Sequence, residues 1–180
     1  MVKKILLGIV GLVVLLLVIA AFAPKKAHLE RSIVIEASPE AIYPHVTHFS
    51  KRTAWYPWSQ LDPTMDSRVE GTDGQEGATY HWSGNKDVGV GHQTLTKLEA
   101  NKRLETDLVF EEPFESKATT FMTLRSEGTG TSVVWGFDSK FPYPMNLMLL
   151  TGAVQKGIGK DYEKGLSSLK KIVEEEQAGS

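Results

Sequence analysis

The 180-residue sequence contains no cysteine. A disulfide framework, a thiol nucleophile and a cysteine-ligated zinc site are therefore excluded. Three other signatures are missing: the Gly-x-Ser-x-Gly nucleophile elbow, the Gly-x-x-x-x-Gly-Lys phosphate loop and a Gly-x-Gly-x-x-Gly turn at a helix start. The sequence thus gives no support for a hydrolase of the nucleophile-elbow type or for a nucleotide-binding protein.

Basic residues are scarce outside the N-terminus. Four of the 20, Lys3, Lys4, Lys25 and Lys26, lie within the first 26 residues, which contain no acidic residue. The rest of the chain carries 16 basic and 22 acidic residues. Because nucleic-acid binding needs a basic face that neutralises phosphates, this balance argues against a nucleic-acid partner.

The histidines give only weak signals for metal binding or catalysis. His45 and His48 are three residues apart on a predicted helix, but no third ligand with helical spacing accompanies them, and we expect two surface histidines. His81 and His92 could act as acid or base if they pointed inward, yet alternation places His81 opposite the predicted core face. We therefore expect no metal and no cofactor, and we assign no catalytic residue.

An uncharged, strongly apolar run occupies residues 5–23 and is flanked by lysine pairs. As a helix it would be about 28 Å long, which matches the hydrocarbon core of a bilayer. We predict an uncleaved single-pass anchor in residues 1–26 and a separate domain in residues 27–180. The alternative is a cleavable signal peptide, since residues 21–23 resemble a cleavage site, although the run is longer than a usual signal core.

The charges on the two sides of this run barely discriminate between the two orientations, because lysines stand at both ends. The N-terminal tail is very short, and we therefore expect the N-terminus in the cytoplasm and the domain on the extracytoplasmic side. Only a few residues separate the run from the domain, so the domain should sit close to the membrane surface.

The longest helical pattern covers residues 145–173. Its apolar residues recur every three or four positions for about seven turns and form one stripe, which predicts a helix lying on a core: Leu147, Leu150, Val154, Ile158, Tyr162, Leu166, Leu169 and Val173. Gly165 lies in this stripe, and Gly157 and Gly159 lie near its edges. Since glycine is costly inside a helix, these residues predict either close backbone packing or a cavity wall beneath the helix.

The middle of the chain predicts six or seven short strands joined by hairpin-length turns, and hence an antiparallel sheet in sequential order. A first strand over residues 29–36 precedes this region and ends at Ser38 and Pro39, which can cap and begin a short helix. A second short segment leads to the aromatic cluster of residues 55–58. This cluster caps the end of the core, lines the mouth of a pocket or touches lipid.

Five segments are informative beside this order of elements: residues 31–40, 55–58, 80–85, 88–91 and 159–169. In these segments and in its order of elements, the sequence resembles the START-like, or SRPBCC, superfamily, and most of all its polyketide cyclase/dehydrase-type bacterial members. The resemblance implies an α+β helix-grip fold, in which a curved antiparallel sheet of six or seven strands wraps around a long C-terminal helix, with two short helices after the first strand. It also implies an apolar cavity between sheet and helix, but it does not fix an activity.

Aromatic residues and methionine are abundant among the predicted core positions, which favours an adaptable apolar pocket over a core that these side chains fill. We predict a hydrophobic small-molecule ligand, such as a lipid, a quinone or a polyketide-like compound, bound by nine residues: Trp55, Trp58, Tyr80, Trp82, Phe110, Phe121, Trp135, Met148 and Tyr162. The favoured function is a membrane-tethered binding or carrier domain. The alternatives are a cyclase or dehydratase acting on such a ligand, and a protein-interaction module without a ligand. The sequence names no protein partner.

Overall fold

The computed structural model describes residues 1–179. The helices are α1 (Val2–Phe22), α2 (Pro39–Thr47), α3 (Phe49–Arg52), α4 (Leu147–Leu150) and α5 (Ala153–Ala178), and a 3-10 helix covers Pro57–Gln60. The strands are β1 (Lys26–Ile35), β2 (Asp66–Glu70), β3 (Thr79–Ser83), β4 (Val90–Glu99), β5 (Arg103–Glu112), β6 (Ser116–Glu127) and β7 (Gly130–Lys140). This is an α+β helix-grip fold, which confirms the fold predicted from the sequence.

The seven strands form one antiparallel sheet in the order β1-β7-β6-β5-β4-β3-β2. Strands β2 to β7 are neighbours in sequence order, as their short connections require. Asn101 and Gly128 lie in two of these turns with φ of 58° and 61°, the left-handed conformation that tight hairpins use. Strand β1 joins the sheet beside β7. The core lies between α5 and the face of the sheet that is turned toward this helix.

The short helices after β1 begin where the local sequence provides hydrogen-bond acceptors. The Ser38 side chain accepts the Ala41 N–H at 3.4 Å, and Pro39 occupies the first position of α2. The Asp73 carboxylate accepts the N–H groups of Phe49 at 2.7 Å and Ser50 at 3.1 Å, which caps α3. These contacts fix the direction in which the chain enters the aromatic segment that follows.

The C-terminal region is not the single helix predicted over residues 145–173. Gly152 adopts a φ of 66°, and this left-handed conformation separates α4 from α5. Helix α5 continues past residue 173 to Ala178. The apolar stripe from Ile158 to Val173 packs against the sheet as predicted, whereas Leu150 on α4 is 54% exposed.

The centre of the core is an aromatic cluster around Trp135. Its ring stacks on Tyr162 of α5 with a centroid distance of 3.8 Å and meets the edge of Trp55 at 5.3 Å. A Cβ atom at Gly165 would lie 2.9 Å from the Trp135 ring. Close packing, the first of the two readings of the helix glycines, therefore holds at Gly165, and the interface between sheet and helix is filled at this end.

Helix α1 extends from the domain, and its side chains are almost all exposed. It is 21 residues long with a mean hydropathy of 3.3 over its most apolar window, so its length and composition would let it cross a membrane; signal sequences share this property. The buried Asn146 amide donates to the carbonyls of Ala20 at 2.7 Å and Ala23 at 3.1 Å. Both carbonyls lie at the C-terminal end of α1, where few backbone donors remain, and these bonds fix α1 to the domain.

Candidate ligand-binding cavity

A cavity of about 170 Å³, partly open to solvent, lies between strands β3 to β5, the 3-10 helix and α5. Most of its lining is apolar: Tyr56, Trp58, Ser59, Met65, Tyr80, Trp82, Val88, Gln93, Leu108, Phe110, Phe137, Ile158, Asp161 and Tyr162. An engineered apolar cavity of about 150 Å³ holds benzene, so this space is large enough for an aromatic ring.

One glycine on the cavity side of the sheet shapes the floor of this space. Gly91 pairs with Trp82 on β3 and with Phe110 on β5. A Cβ atom at Gly91 would collide with the Val109 carbonyl and lie 2.7 Å from the Trp82 ring. The missing side chain therefore gives clearance to the Trp82 indole, whose ring meets Phe110 edge to face at 5.6 Å.

Five of the nine predicted site residues come together around the cavity: Trp58, Tyr80, Trp82, Phe110 and Tyr162. The strand residues among them were placed by alternation, because Tyr80 and Trp82 are two apart and Phe110 follows the apolar face of β5. Their role in binding a ligand stays a prediction.

Two of the remaining four are part of the packed core and do not line the cavity. Trp55 is 1% exposed, and its indole N–H donates to the His45 carbonyl at 3.0 Å. Trp135 is covered by Tyr162 and by the ring of Trp58, whose centroid is 6.0 Å away. Both side chains support the cavity wall from behind.

Phe121 and Met148 also lie away from the cavity. Phe121 pairs with Gly136 on β7 and is adjacent to Met122, which faces the core. Because neighbouring residues of a strand point to opposite faces, the Phe121 ring lies on the outer face of the sheet. The Arg103 guanidinium covers that ring at 4.4 Å. Met148 is 46% exposed because the break before α5 turns α4 away from the core stripe.

The histidines are outside the cavity. His81 and His92 lie on the outer face as alternation predicts, with ring centroids 5.6 Å apart, and each is within 3.3 Å of a glutamate carboxylate. His45 is buried, not on the surface as expected, because α5 packs against α2 and brings Glu176 within 3.1 Å of its ring. Within residues 1–179, no group of three His, Cys, Asp or Glu side chains could hold a metal ion.

Sequence reasoning missed a buried polar network at the inner end of the cavity. Arg52 donates from one terminal nitrogen to the Gln93 side-chain oxygen at 2.9 Å and from the other to the Val46 carbonyl at 2.6 Å. Gln93 in turn donates to the hydroxyls of Thr106 at 2.7 Å and Thr120 at 3.2 Å. The position of Gln93 could have been predicted from the sequence, because it is two residues from Gly91 on one strand and therefore points to the same face of the sheet. Nothing in the sequence around Arg52 indicated burial.

Burial sets the protonation state of the titratable groups in and near this network. Desolvation raises the pKa of Tyr56 to about 12 and raises the pKa of Tyr162 well above its ordinary value, so both hydroxyls remain neutral. Burial also lowers the pKa of Arg52, but a guanidinium keeps its proton at neutral pH. Arg52 is therefore the charged group at this end of the site.

Asp161 is the carboxyl group at the other side of the cavity, and it was also missed. Burial raises its pKa, with a small opposing effect from Lys164. A carboxyl group with a raised pKa in the folded state costs stability once the unfolded state ionises. The penalty is absent below the ordinary value of about 4, grows as pH rises from there to the raised pKa, and stays constant above it.

We expect Asp161→Asn to raise the free energy of unfolding at pH 7. The gain should shrink as pH falls and vanish near pH 3, where wild-type Asp161 is protonated in both states. Urea titrations of both proteins at several pH values measure this difference. A variant that is less stable than wild type at pH 7 would contradict the assignment.

Comparison with known proteins agrees with this geometry. Residues 26–174 match the family model described as polyketide cyclase / dehydrase and lipid transport. The chain belongs to this family. The SRPBCC-type resemblance stated from the sequence is thereby confirmed, and the match covers the whole sheet and most of α5. Among curated proteins, none matches the chain significantly.

Solved structures share the fold at low sequence identity. A Staphylococcus aureus protein of unknown function, SA2116, has a TM-score of 0.65 at 13% identity over 86% of this chain and 97% of its own. Protein CV1439 of Chromobacterium violaceum has a TM-score of 0.58 at 16% identity over 84% and 98%. The Aha1 dimer of Colwellia psychrerythraea has a TM-score of 0.56 at 20% identity over 82% and 96%. Identities this low show the family's fold and nothing about the ligand.

Proposed function

We propose that this protein is a membrane-tethered binding or carrier domain for a hydrophobic small molecule, of lipid, quinone or polyketide-like character. The observation that carries the proposal is the cavity of about 170 Å³ with its mostly apolar, aromatic lining. The family's description includes lipid transport, which is in keeping with such a ligand. A space of this size takes one or two rings or a short chain segment, and the partial opening lets a longer ligand extend outward.

The tether is proposed from α1 and from the surface beside it. Asn146 fixes the end of α1 to the domain, and the neighbouring residues expose four apolar side chains, between 46% and 54% of each being accessible: Tyr143, Met145, Met148 and Leu150. Apolar groups exposed together next to a hydrophobic helix suit contact with lipid. The domain would then stand at the extracytoplasmic membrane surface, where the tether raises the local concentration of a membrane-derived ligand.

A cyclase or dehydratase acting on such a ligand is the second candidate. Asp161 favours it, because a carboxyl group at the cavity wall with a pKa raised by burial is the type of group that serves as a general acid or base. The other titratable side chains that line the cavity are tyrosines, and burial raises the pKa of two of them, Tyr56 and Tyr162. The carrier function therefore has the better support.

The carrier proposal is tested with 2-naphthamide, an uncharged two-ring probe. We expect the full chain in lipid nanodiscs to bind it with a Kd of about 0.1–1 mM or tighter, as about 0.3–0.4 kcal/mol for each heavy atom predicts. Isothermal titration calorimetry measures the binding, and protein-free nanodiscs are the control for partition into lipid. Heats equal to those of the control, both for this probe and for its anionic analogue 2-naphthoate, would remove the support for a carrier and favour the interaction module.

A further inference from the structure

A second, smaller void, also partly open to solvent, adjoins the main cavity. It measures about 10 Å³ and is lined by Phe49, Arg52, Thr53, Tyr56, Ser59, Tyr80 and Gln93. Four of these residues, Tyr56, Ser59, Tyr80 and Gln93, also line the main cavity, so the two spaces are adjacent. The mostly apolar main cavity thus adjoins a small void with a more polar lining.

Two hydrogen-bond donors at this small void have no partner. Arg52 Nε and the Tyr80 hydroxyl are both buried, and neither makes a hydrogen bond within the described residues. Arg52 as a whole is only 5% exposed, and its Nε is buried. Buried donors without acceptors are rare in native proteins and call for an explanation, such as a ligand that supplies the acceptor.

The charge of Arg52 is also not matched by a direct partner. No carboxylate in residues 1–179 lies within ion-pair distance of its guanidinium; its contacts are the neutral oxygens of Gln93 and Val46 and the Phe49 ring at 4.6 Å. Asp73 favours the charged form from a distance, but its oxygens accept backbone N–H groups at the start of α3. A buried guanidinium that has no carboxylate within ion-pair distance can bind an oxyanion, because the two form charge-assisted hydrogen bonds.

We infer that the ligand carries an anionic oxygen group, a carboxylate or an ionised enol, whose oxygen accepts hydrogen bonds from Arg52 Nε and the Tyr80 hydroxyl while its apolar body fills the main cavity. This inference rests on the proposed function and specifies its ligand class. Gln93 is a positioning residue, because its side-chain oxygen holds the guanidinium and its nitrogen is held by two threonines. The small void has room for a single oxygen atom, which fits one carboxylate oxygen.

The test compares 2-naphthoate with 2-naphthamide, which have the same shape and differ in charge. With the full chain in nanodiscs at pH 7.5, we expect naphthoate to bind at least about tenfold more tightly, a difference of about 1.4 kcal/mol. Arg52→Met should bring this ratio close to one. Arg103→Met is the matched control, since Arg103 lies on the outer face over Phe121, and it should keep the wild-type ratio.

Tyr80→Phe keeps the test decisive even if Arg52→Met fails to fold. Because the Tyr80 hydroxyl has no hydrogen-bond partner within the described residues, its removal should leave the melting temperature unchanged or higher. We expect it to lower the naphthoate preference about threefold, by loss of one charge-assisted hydrogen bond.

The outcomes separate this inference from the proposed function. Equal affinities of the two probes in wild type, or a preference that survives both Arg52→Met and Tyr80→Phe, would overturn the anionic subsite alone. Failure of both probes to bind would overturn the carrier function and the subsite together.

Discussion

Leu108→Trp is expected to abolish measurable binding of 2-naphthamide, with Kd raised at least about tenfold. Leu108 lies on β5 between Gln93 and Ala118 and points into the cavity. An indole at this position would occupy the space that the probe needs. Since the side chains that line the cavity leave space between them and the cavity is partly open, the larger side chain should be tolerated with less strain than overpacking in a filled core produces.

Val109→Trp is the matched control for this variant. Val109 is the next residue of the same strand and points to the opposite face. It should therefore keep the wild-type Kd in the same calorimetric titration. If Leu108→Trp binds the probe as well as wild type does, the probe occupies another place and the cavity is not the binding site.

Trp135→Ala is expected to lower the free energy of unfolding by about 3–5 kcal/mol, the range for removal of a large aromatic side chain from a core. Trp135 is 2% exposed and touches the rings of four other aromatic residues: Trp55, Tyr56, Trp58 and Tyr162. The β7 backbone and the α5 backbone at Gly165 limit collapse into the space left behind. A loss of this size is a large part of the 5–15 kcal/mol that stabilises a typical domain.

Urea unfolding of residues 24–180, followed by far-ultraviolet circular dichroism, measures this loss. Solved relatives of the fold are matched over 96–98% of their own length and so consist of little beyond this domain, which supports the use of the domain without α1. Trp58→Ala is the control, because Trp58 borders an existing cavity, and its removal should cost clearly less. A loss below about 1 kcal/mol for Trp135→Ala would mean that the aromatic cluster is not the centre of the core.

The strands were predictable where one face is polar. On β3 and β5, charged or histidine side chains alternate with aromatic and aliphatic ones, so the inward positions of Tyr80, Trp82 and Phe110 follow from alternation alone. On β6 both faces are apolar near Phe121 and Met122, so alternation alone does not decide which of these two residues faces the core. Only the pairing with Gly136, whose missing side chain accommodates the Phe121 ring, settles which residue faces outward.

The C-terminal helix and the polar network show why the rest could not be predicted. The apolar pattern continues on both sides of Gly152, and nothing in it shows that this glycine takes the left-handed conformation that interrupts the helix there. Arg52 lies on a four-residue helix, too short for a periodic pattern, and a basic residue in such a segment is normally exposed. Its burial depends on Gln93, which is distant in sequence, so the polar end of the site becomes visible only in three dimensions.

The most direct test of the central claim is native mass spectrometry of residues 24–180, purified without detergent, followed by organic extraction of anything that remains bound. We expect a reproducible adduct of a hydrophobic molecule bearing an acidic oxygen group, present on wild type and on Val109→Trp and missing from Leu108→Trp. A wild-type domain that stays free of adduct and takes up no lipid, quinone or aromatic acid from an added panel would contradict the account.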